Sequence, residues 1–234
     1  RYYHDYPIKK QKADFFTIRL FSARLQLLIA GGLTKDQTIL DHGCGNGGFV
    51  DFLRSRGYSK SEGYDPYSES FSDSSLLERQ YDFVISQDVI EHAPDIATFL
   101  EEISTLVRPK GGKIAIGTPD AANIRLKDPV DIAGQLHQPY HRHLLTKAQL
   151  EKMIASNGFE ITNSLRTWYV DTWFPFLNSS FLFNYVVASG GAIDSTFEPV
   201  NFGIVLSSPR LLFLGLFGRL LRPQKDMLIF ATAP

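Results

Sequence analysis

Apolar residues recur at helical spacing from Asp14 to Ala30, at Phe15, Ile18, Phe21, Leu25 and Leu28, and Gly31-Gly32 ends the run. This predicts a first helix behind a polar, aromatic arm at residues 1–12. Thr38–Leu40 then reads as a short buried strand running into the turn Gly43-Cys44-Gly45-Asn46-Gly47-Gly48. A helix over Phe49–Arg56 follows, closed by Gly57. Ser61–Asp65, stopped by Pro66, and Tyr81–Ser86 read as two more strands. Asp95–Val107 is amphipathic through Ile96, Phe99, Leu100, Ile103 and Leu106, and Pro109 with Gly111-Gly112 terminates it. Lys113–Thr118 is a further strand. Thr146 and Gln149 form a capping box that opens a helix closed by Gly158. Phe159–Val170 and Asp226–Thr232 read as the last two strands. Strands alternating with helices predict an α/β fold with a mostly parallel sheet covered on both faces.

Residues 171–225 break that alternation. The segment is 55 residues long, too long for a bare connection in a compact domain. Two apolar helices are predicted in it, near Phe181–Ser189 and Pro209–Leu221, as a helical cap over one edge of the sheet. The chain then reads as one domain: an N-terminal arm and helix at 1–35, a core at 36–170, the cap insertion at 171–225 and a last strand at 226–234. The cap is rich in aromatics, which make up 13% of the whole chain, and its apolar content suits an apolar partner. Its longest apolar run, Leu211–Leu221, is too short to span a bilayer.

With 44% hydrophobic and 21% charged residues the chain is neither disordered nor a coiled coil. A formal net charge of −1 gives no reason to expect nucleic acid as a partner. The single cysteine, Cys44, forms no internal disulfide, and no signal-peptide pattern opens the sequence, so a reducing, cytoplasmic setting is expected. Arg210, Arg219 and Arg222 beside leucines and phenylalanines make 209–222 a candidate for peripheral contact with an anionic membrane. A cap helix packed on the sheet and a homodimer interface are the competing readings of that segment.

The glycine turn carries the most chemistry. In an open α/β sheet ligands sit beyond the carboxyl ends of the strands, where glycines let the backbone approach and a helix offers free N–H groups. Asp65 ends the next strand, 22 residues after Gly43, where a carboxylate can accept both hydroxyls of a ribose. Gly43, Gly45 and Gly48 also fit the dinucleotide pattern G-x-G-x-x-G. Asp41 argues against a dinucleotide, because a carboxylate there would repel a pyrophosphate and favour an ammonium or sulfonium.

ILDHGCGNGGF at 39–49, EGYDP at 62–66, YDFVISQDVIEH at 81–92 and LVRPKGGKIAIGTP at 106–119 together resemble the ordered motifs of class I S-adenosylmethionine-dependent methyltransferases. The flavour is that of the ubiquinone-biosynthesis O-methyltransferases, and HQPYHRHLLTKAQLEKMIASNGFEI at 137–161 is similar to their later segment. The resemblance implies a Rossmann-like, seven-stranded sheet with its last strand antiparallel, and S-adenosylmethionine over the glycine turn. By the same resemblance Asp41, Gly43, Cys44, Gly45 and Gly47 surround its methionine part. Asp65 then holds the ribose with Pro66 behind it, and Ser86, Gln87 and Asp88 line the floor near the methyl group. The chain departs from the family between Asp65 and Tyr81, where only 15 residues stand in for a helix, a strand and an adenine-contacting turn. Phe71 and Leu76 are the candidate adenine contacts there.

Methyl transfer asks mainly for alignment, with a base only where the acceptor must lose a proton. His137 and His141, with His143 beside them, are the candidate bases, since histidine titrates near neutral pH. Asp88, Glu91 and His92 would share a face if a helix began there and are the candidate ligands for a divalent metal, although the expectation is an enzyme without one. Cys44, next to a helix N-terminus, is a conceivable nucleophile, but the resemblance implies a small packing residue. Tyr2, Tyr3 and Tyr6 are candidates for a lid. The expected activity is transfer of a methyl group to a small, apolar or aromatic acceptor; the resemblance implies an oxygen as the acceptor atom, with nitrogen and carbon left open. A sugar or glycolipid methyltransferase is the alternative within the class. An NAD-dependent oxidoreductase and a non-catalytic methyltransferase-like partner subunit are the alternatives outside it.

Overall fold

A computed structural model describes residues 14–132, 136, 141–167, 170–190, 200–221 and 226–234. The arm at 1–12 with its three tyrosines, and the candidate base His137, lie outside the described residues.

Helix α1 (Phe15–Ala30) is capped by Asp14, whose carboxylate accepts the Thr17 N–H. Strand β1 (Ile39–His42) is buried along its whole length and leads through the glycine turn into α2 (Gly48–Ser55). Strand β2 (Ser61–Tyr64) follows. The residues after it form turns and a short 3-10 helix, Ser74–Glu78, where the family resemblance implied a helix and a strand. Then come β3 (Phe83–Gln87), α3 (Ile96–Leu106) and β4 (Lys113–Pro119). A single turn, α4 (Pro129–Asp131), precedes α5 (Lys147–Ser156), which carries the expected capping box between Thr146 and Gln149. Strand β5 (Glu160–Leu165) is shorter than the expected Phe159–Val170. Beyond β5 lie α6 (Ser179–Ala188), α7 (Phe202–Ser207) and α8 (Pro209–Phe217), the last extended by a 3-10 turn to Leu221. Strand β6 (Asp226–Thr232) completes the sheet.

Among the described residues the sheet has six strands, in the order β2-β1-β3-β4-β6-β5. Seven were implied, and the missing one is the edge strand that the 15 residues after Asp65 are too few to build. The first four strands run parallel, and β6 lies antiparallel between β4 and β5. The last strand is thus antiparallel, as expected, because the long excursion through α6–α8 brings the chain back from the opposite end. At the far edge β5 carries a register shift between Ile161 and Asn163, the kind of irregularity that blunts an exposed edge.

Each face of the sheet has its own core. On one, Phe21, Leu25 and Leu28 of α1 pack with Phe49, Phe52 and Leu53 of α2 over Ile39, Phe83, Ile85 and Phe230. On the other, Phe99, Leu100, Ile103 and Leu106 of α3 and Leu150 and Ile154 of α5 cover Leu40, Val84, Ile116 and Ile229. The α6–α8 segment builds a third, smaller core from Phe181, Tyr185, Val205, Leu211 and Leu214. Asn178 joins two of its helices, capping α6 through the Phe181 N–H and donating its Nδ2 to the Leu214 carbonyl at 3.0 Å. No helix among the described residues is long and apolar enough to cross a membrane.

Candidate active site

The strand order reverses direction between β1 and β3, so the carboxyl ends of these strands open a crevice of the kind that takes ligands in α/β sheets. The glycine turn sits at that point. Gly43, Gly45 and Gly47 all have positive φ, at 82°, 60° and 76°. At Gly47 the demand is double: an added Cβ would lie 2.0 Å from the Phe71 ring. Gly43 and Cys44 donate their N–H groups to the Tyr64 carbonyl, tying the turn to the end of β2. The Cys44 side chain points at β2, where a Cβ on Gly63 would come within 2.8 Å of its Sγ. Burial, reinforced by the charges of Asp41 and Asp65, pushes the Cys44 thiol far above its ordinary range, so it is a packing group and not a nucleophile.

Asp65 is buried and stands one residue past β2. Its Oδ2 accepts the Gly45 N–H at 3.0 Å and its Oδ1 accepts the Tyr67 N–H at 2.9 Å. Each oxygen keeps further lone-pair capacity for a ligand hydroxyl. Pro66 is exposed beside it. Phe71 returns to the same place, its carbonyl accepting the Asp65 N–H at 2.8 Å while its ring covers Gly47. Leu76 is buried in the 3-10 turn and accepts the Tyr81 hydroxyl on its carbonyl.

Asp41 is also buried, and it is not alone. Arg24 of α1 donates Nη2 to its Oδ1 at 3.1 Å and stacks its guanidinium 4.0 Å from the centre of the Phe49 ring. Burial raises the Asp41 carboxyl above its ordinary value, and Arg24 counters that. The site therefore offers a cation as well as an anion where a lone carboxylate was expected. The buried Nε of Arg24 has no hydrogen-bond partner among the described residues, so a buried donor is left for a ligand there. Sequence reading missed Arg24. The signal was there: at i+3 from Phe21, i−1 from Leu25 and i−4 from Leu28, it is a charged residue on the buried stripe of α1.

At the end of β3, Ser86 is buried with no partner for its Oγ among the described residues, and Gln87 donates its Nε2 to Asp88 Oδ1 at 2.9 Å. Asp88 has φ 57°, a conformation costly to a residue with a side chain and often found at functional sites. Burial raises its carboxyl above the ordinary value, with Gln87 and then Arg24 opposing. Ile90–His92 is a 3-10 turn rather than the start of a helix, so Asp88, Glu91 and His92 are not aligned along one helical face.

The fold groups these residues differently. Glu91, His92 and His141 bring one ligand atom each to within 4.8 Å of one another, with Asp88 outside the group. The His92 and His141 rings meet edge to face, their centres 4.8 Å apart. Glu91 accepts the Thr118 hydroxyl on Oε2 at 2.8 Å, while its buried Oε1 has no partner among the described residues. Burial first, and the charge of Asp88 second, push the Glu91 carboxyl well above its ordinary value. The Glu91 carbonyl accepts the N–H groups of Arg142 and His143, which pins the loop that presents His141. Two imidazoles and a carboxyl in this arrangement can relay a proton or ligate a divalent cation.

A separate cavity of about 630 Å³ opens beyond the end of β4. Its walls come from the chain after β4, with Ile124 and Arg125, and from α6 and α8, with Ser180, Phe183, Asn184 and Arg210. None of its lining residues belongs to the glycine turn. Just past β4, buried Asp120 accepts the Arg166 Nε–H at 2.8 Å and the Ala122 and Lys147 N–H groups, fixing the turn from which the cavity wall departs.

A family model described as a methyltransferase domain matches residues 15–164. The chain is 32% identical over 89 residues to a ubiquinone biosynthesis O-methyltransferase of Rhizobium etli, a match covering 36% of each protein. The chain thus spans about a third of the length of that curated relative. Among solved structures it superposes on an S-adenosylmethionine-dependent methyltransferase from Mesorhizobium loti with a TM-score of 0.54, at 15% identity over 90% of this chain and 97% of that one. It superposes on phosphoethanolamine N-methyltransferase 2 of Haemonchus contortus, bound to phosphomonomethylethanolamine and S-adenosylhomocysteine, with a TM-score of 0.56. That match is 20% identical and covers 91% of this chain and 52% of the other.

Proposed function

This chain belongs to the methyltransferase domain family, and we propose that it transfers a methyl group from S-adenosylmethionine to an oxygen of a small acceptor with an apolar or aromatic body. The observation that carries the reading is the pairing, at one strand crossover, of a buried carboxylate past β2 with the Arg24–Asp41 ion pair at the end of β1. The residues present fit the cofactor. The glycine turn offers a cradle where a side chain at 47 would collide, Asp65 offers two acceptors, and the orphaned Arg24 Nε offers a buried donor.

Asp65 accepts the two ribose hydroxyls, and the amides of Gly45 and Tyr67 hold its carboxylate in place. Arg24 meets the carboxylate of the amino-acid end, and Asp41 meets the ammonium, so the ion pair answers a zwitterion with two opposite charges. Gly43, Cys44, Gly45 and Gly47 supply close backbone, and Ser86, Gln87 and Asp88 line the floor. When bound, the cofactor supplies a methyl group on a positively charged sulfur that leaves as a neutral thioether. His141 takes the acceptor's hydroxyl proton, with His92 against its ring and Glu91 holding its loop. His137, outside the described residues, remains the second candidate for that role.

The acceptor is proposed to enter through the cavity between the post-β4 chain and α6–α8. Oxygen as the acceptor atom is supported by the likeness to the ubiquinone-pathway enzyme and by the histidines poised to remove a proton. The cavity's arginines, serines and asparagine favour a second reading, in which the acceptor is a sugar or glycolipid. An acceptor screen with phenols, prenylated phenols and glycosides, read by the release of S-adenosylhomocysteine, tests both. Turnover confined to amines or to carbon acceptors would refute the oxygen assignment.

A further inference from the structure

Helix α8 buries one stripe against its neighbours, through Leu211, Leu214 and Gly215, continued by Gly218. On a helix covering a water-soluble domain the opposite stripe should be polar. Here it is Phe213, Leu216, Phe217 and Leu220, at i, i+3, i+4 and i+7, with Leu221 beside them, and these five side chains are between 49% and 71% exposed. The Phe213 and Phe217 rings pack on each other 5.4 Å apart, outside the core. Helix α7, which packs on α8, exposes Phe202 and Leu206 one turn apart. Scattered exposed leucines need no explanation, but a continuous apolar stripe does.

Along this stretch of sequence the charges are of one sign, and of its basic residues Arg210 and Arg219 lie among the described residues. From Val200 to Lys225 the chain has no acidic residue and four basic ones, Arg210, Arg219, Arg222 and Lys225. Arg210 precedes Phe213 by one helical turn and is exposed. Arg219 sits 4.1 Å over the ring of Trp173, which is 79% exposed. An apolar stripe bordered by arginines and a tryptophan is suited to a headgroup boundary, where the ring and the guanidinium stay at the level of the phosphates. A second copy of the chain fits less well. Two-fold pairing through this face would bring arginines toward arginines.

We propose that the outward face of α8 and its following turn, with Trp173 at the rim, docks this protein on an anionic lipid surface. Arg210 and Leu221 also line the cavity assigned above to the acceptor, so docking would place that cavity's mouth at the lipid. This last step rests on the proposed function, whereas the docking does not.

The test is co-sedimentation of the full chain with vesicles of phosphatidylcholine alone and of phosphatidylcholine with phosphatidylglycerol. It is repeated with Leu216→Glu/Leu220→Glu, both exposed and neither lining the cavity. Affinity for the anionic vesicles should exceed that for the neutral ones by about tenfold or more, and should fall with added salt. The double variant should lose vesicle binding while keeping its melting temperature and its affinity for S-adenosylhomocysteine. No preference for phosphatidylglycerol, or vesicle binding that survives the double substitution, would overturn the proposal. So would a concentration-dependent dimer, seen by light scattering and abolished by the same substitutions, without vesicle binding. Lipid binding by a protein that ignores S-adenosylhomocysteine would leave the docking standing and remove the methyltransferase reading.

Discussion

Replacing Asp65 by Asn tests the ribose contact with little change of volume. In the folded chain Asp65 Oδ2 accepts the Gly45 N–H at 3.0 Å and Oδ1 accepts the Tyr67 N–H at 2.9 Å. An amide keeps one acceptor oxygen and turns the other position into a donor. The oxygen should stay with buried Gly45, whose amide has no water to turn to, and the Tyr67 amide at the exposed side can be solvated. The stability loss should then be small, about 1 kcal/mol for one lost hydrogen bond. Cofactor binding loses more, because one ribose hydroxyl no longer finds a charged acceptor. A hydrogen bond to a charged group contributes about 1.5–3 kcal/mol, which corresponds to about a 10- to 150-fold rise in Kd. The assay is calorimetric titration with S-adenosylhomocysteine, paired with thermal melting to show that the variant is folded. A Kd within about twofold of the parent, from a folded variant, would refute the assignment of Asp65 to the ribose.

Three further outcomes follow from the same geometry. Arg24→Met leaves the Asp41 carboxylate buried without its counter-charge, so the protein should lose about 3–5 kcal/mol of stability and bind the cofactor more weakly; Arg24→Lys should recover stability more than affinity, and equal recovery of both would contradict a direct contact. The Glu91 carboxyl is raised by burial, so its contribution to stability is present below its unfolded value and is lost as pH rises through the raised folded value. Glu91→Gln should flatten the decline in melting temperature as pH rises above the ordinary carboxylate range, leaving a residual slope from Asp41 and Asp88; an unchanged slope would show that Glu91 does not titrate there. His141→Gln should lower kcat by about a hundredfold or more, remove the acidic limb of its pH profile and leave the affinity for S-adenosylhomocysteine unchanged. A change confined to KM would make His141 a substrate contact only.

Local signals were legible where sequence and structure operate over the same short range. The turn at 43–48 lies between a four-residue buried strand and a helix, as its glycine run suggested, and Gly43, Gly45 and Gly47 have positive φ there. The capping box at Thr146 and the stop at Gly158 bound α5 as expected. The short stretch after Asp65 announced the missing edge strand, because a helix and a strand need more chain than it has. Signals that depend on distant partners were not legible. The role of Arg24 is hidden because the periodicity of α1 marks only its apolar positions, and its partner Asp41 comes from another element. The spacing of Asp88, Glu91 and His92 suggested a helical face, but the backbone at Asp88 turns left-handed and only the folded loop brings His141 to the other two. Strand β5 ends at Leu165 because Arg166 turns instead to buried Asp120 across the sheet end. Helix α7 is six residues long, too short for a periodic pattern to show.

The most direct test of the central claim is side-by-side calorimetric titration of the purified protein with S-adenosylmethionine, S-adenosylhomocysteine and NAD. The Arg24–Asp41 pair and the Asp65 carboxylate predict binding of the first two and none of NAD, whose pyrophosphate would meet the Asp41 carboxylate. Binding of NAD alone, or silence toward all three, would contradict it.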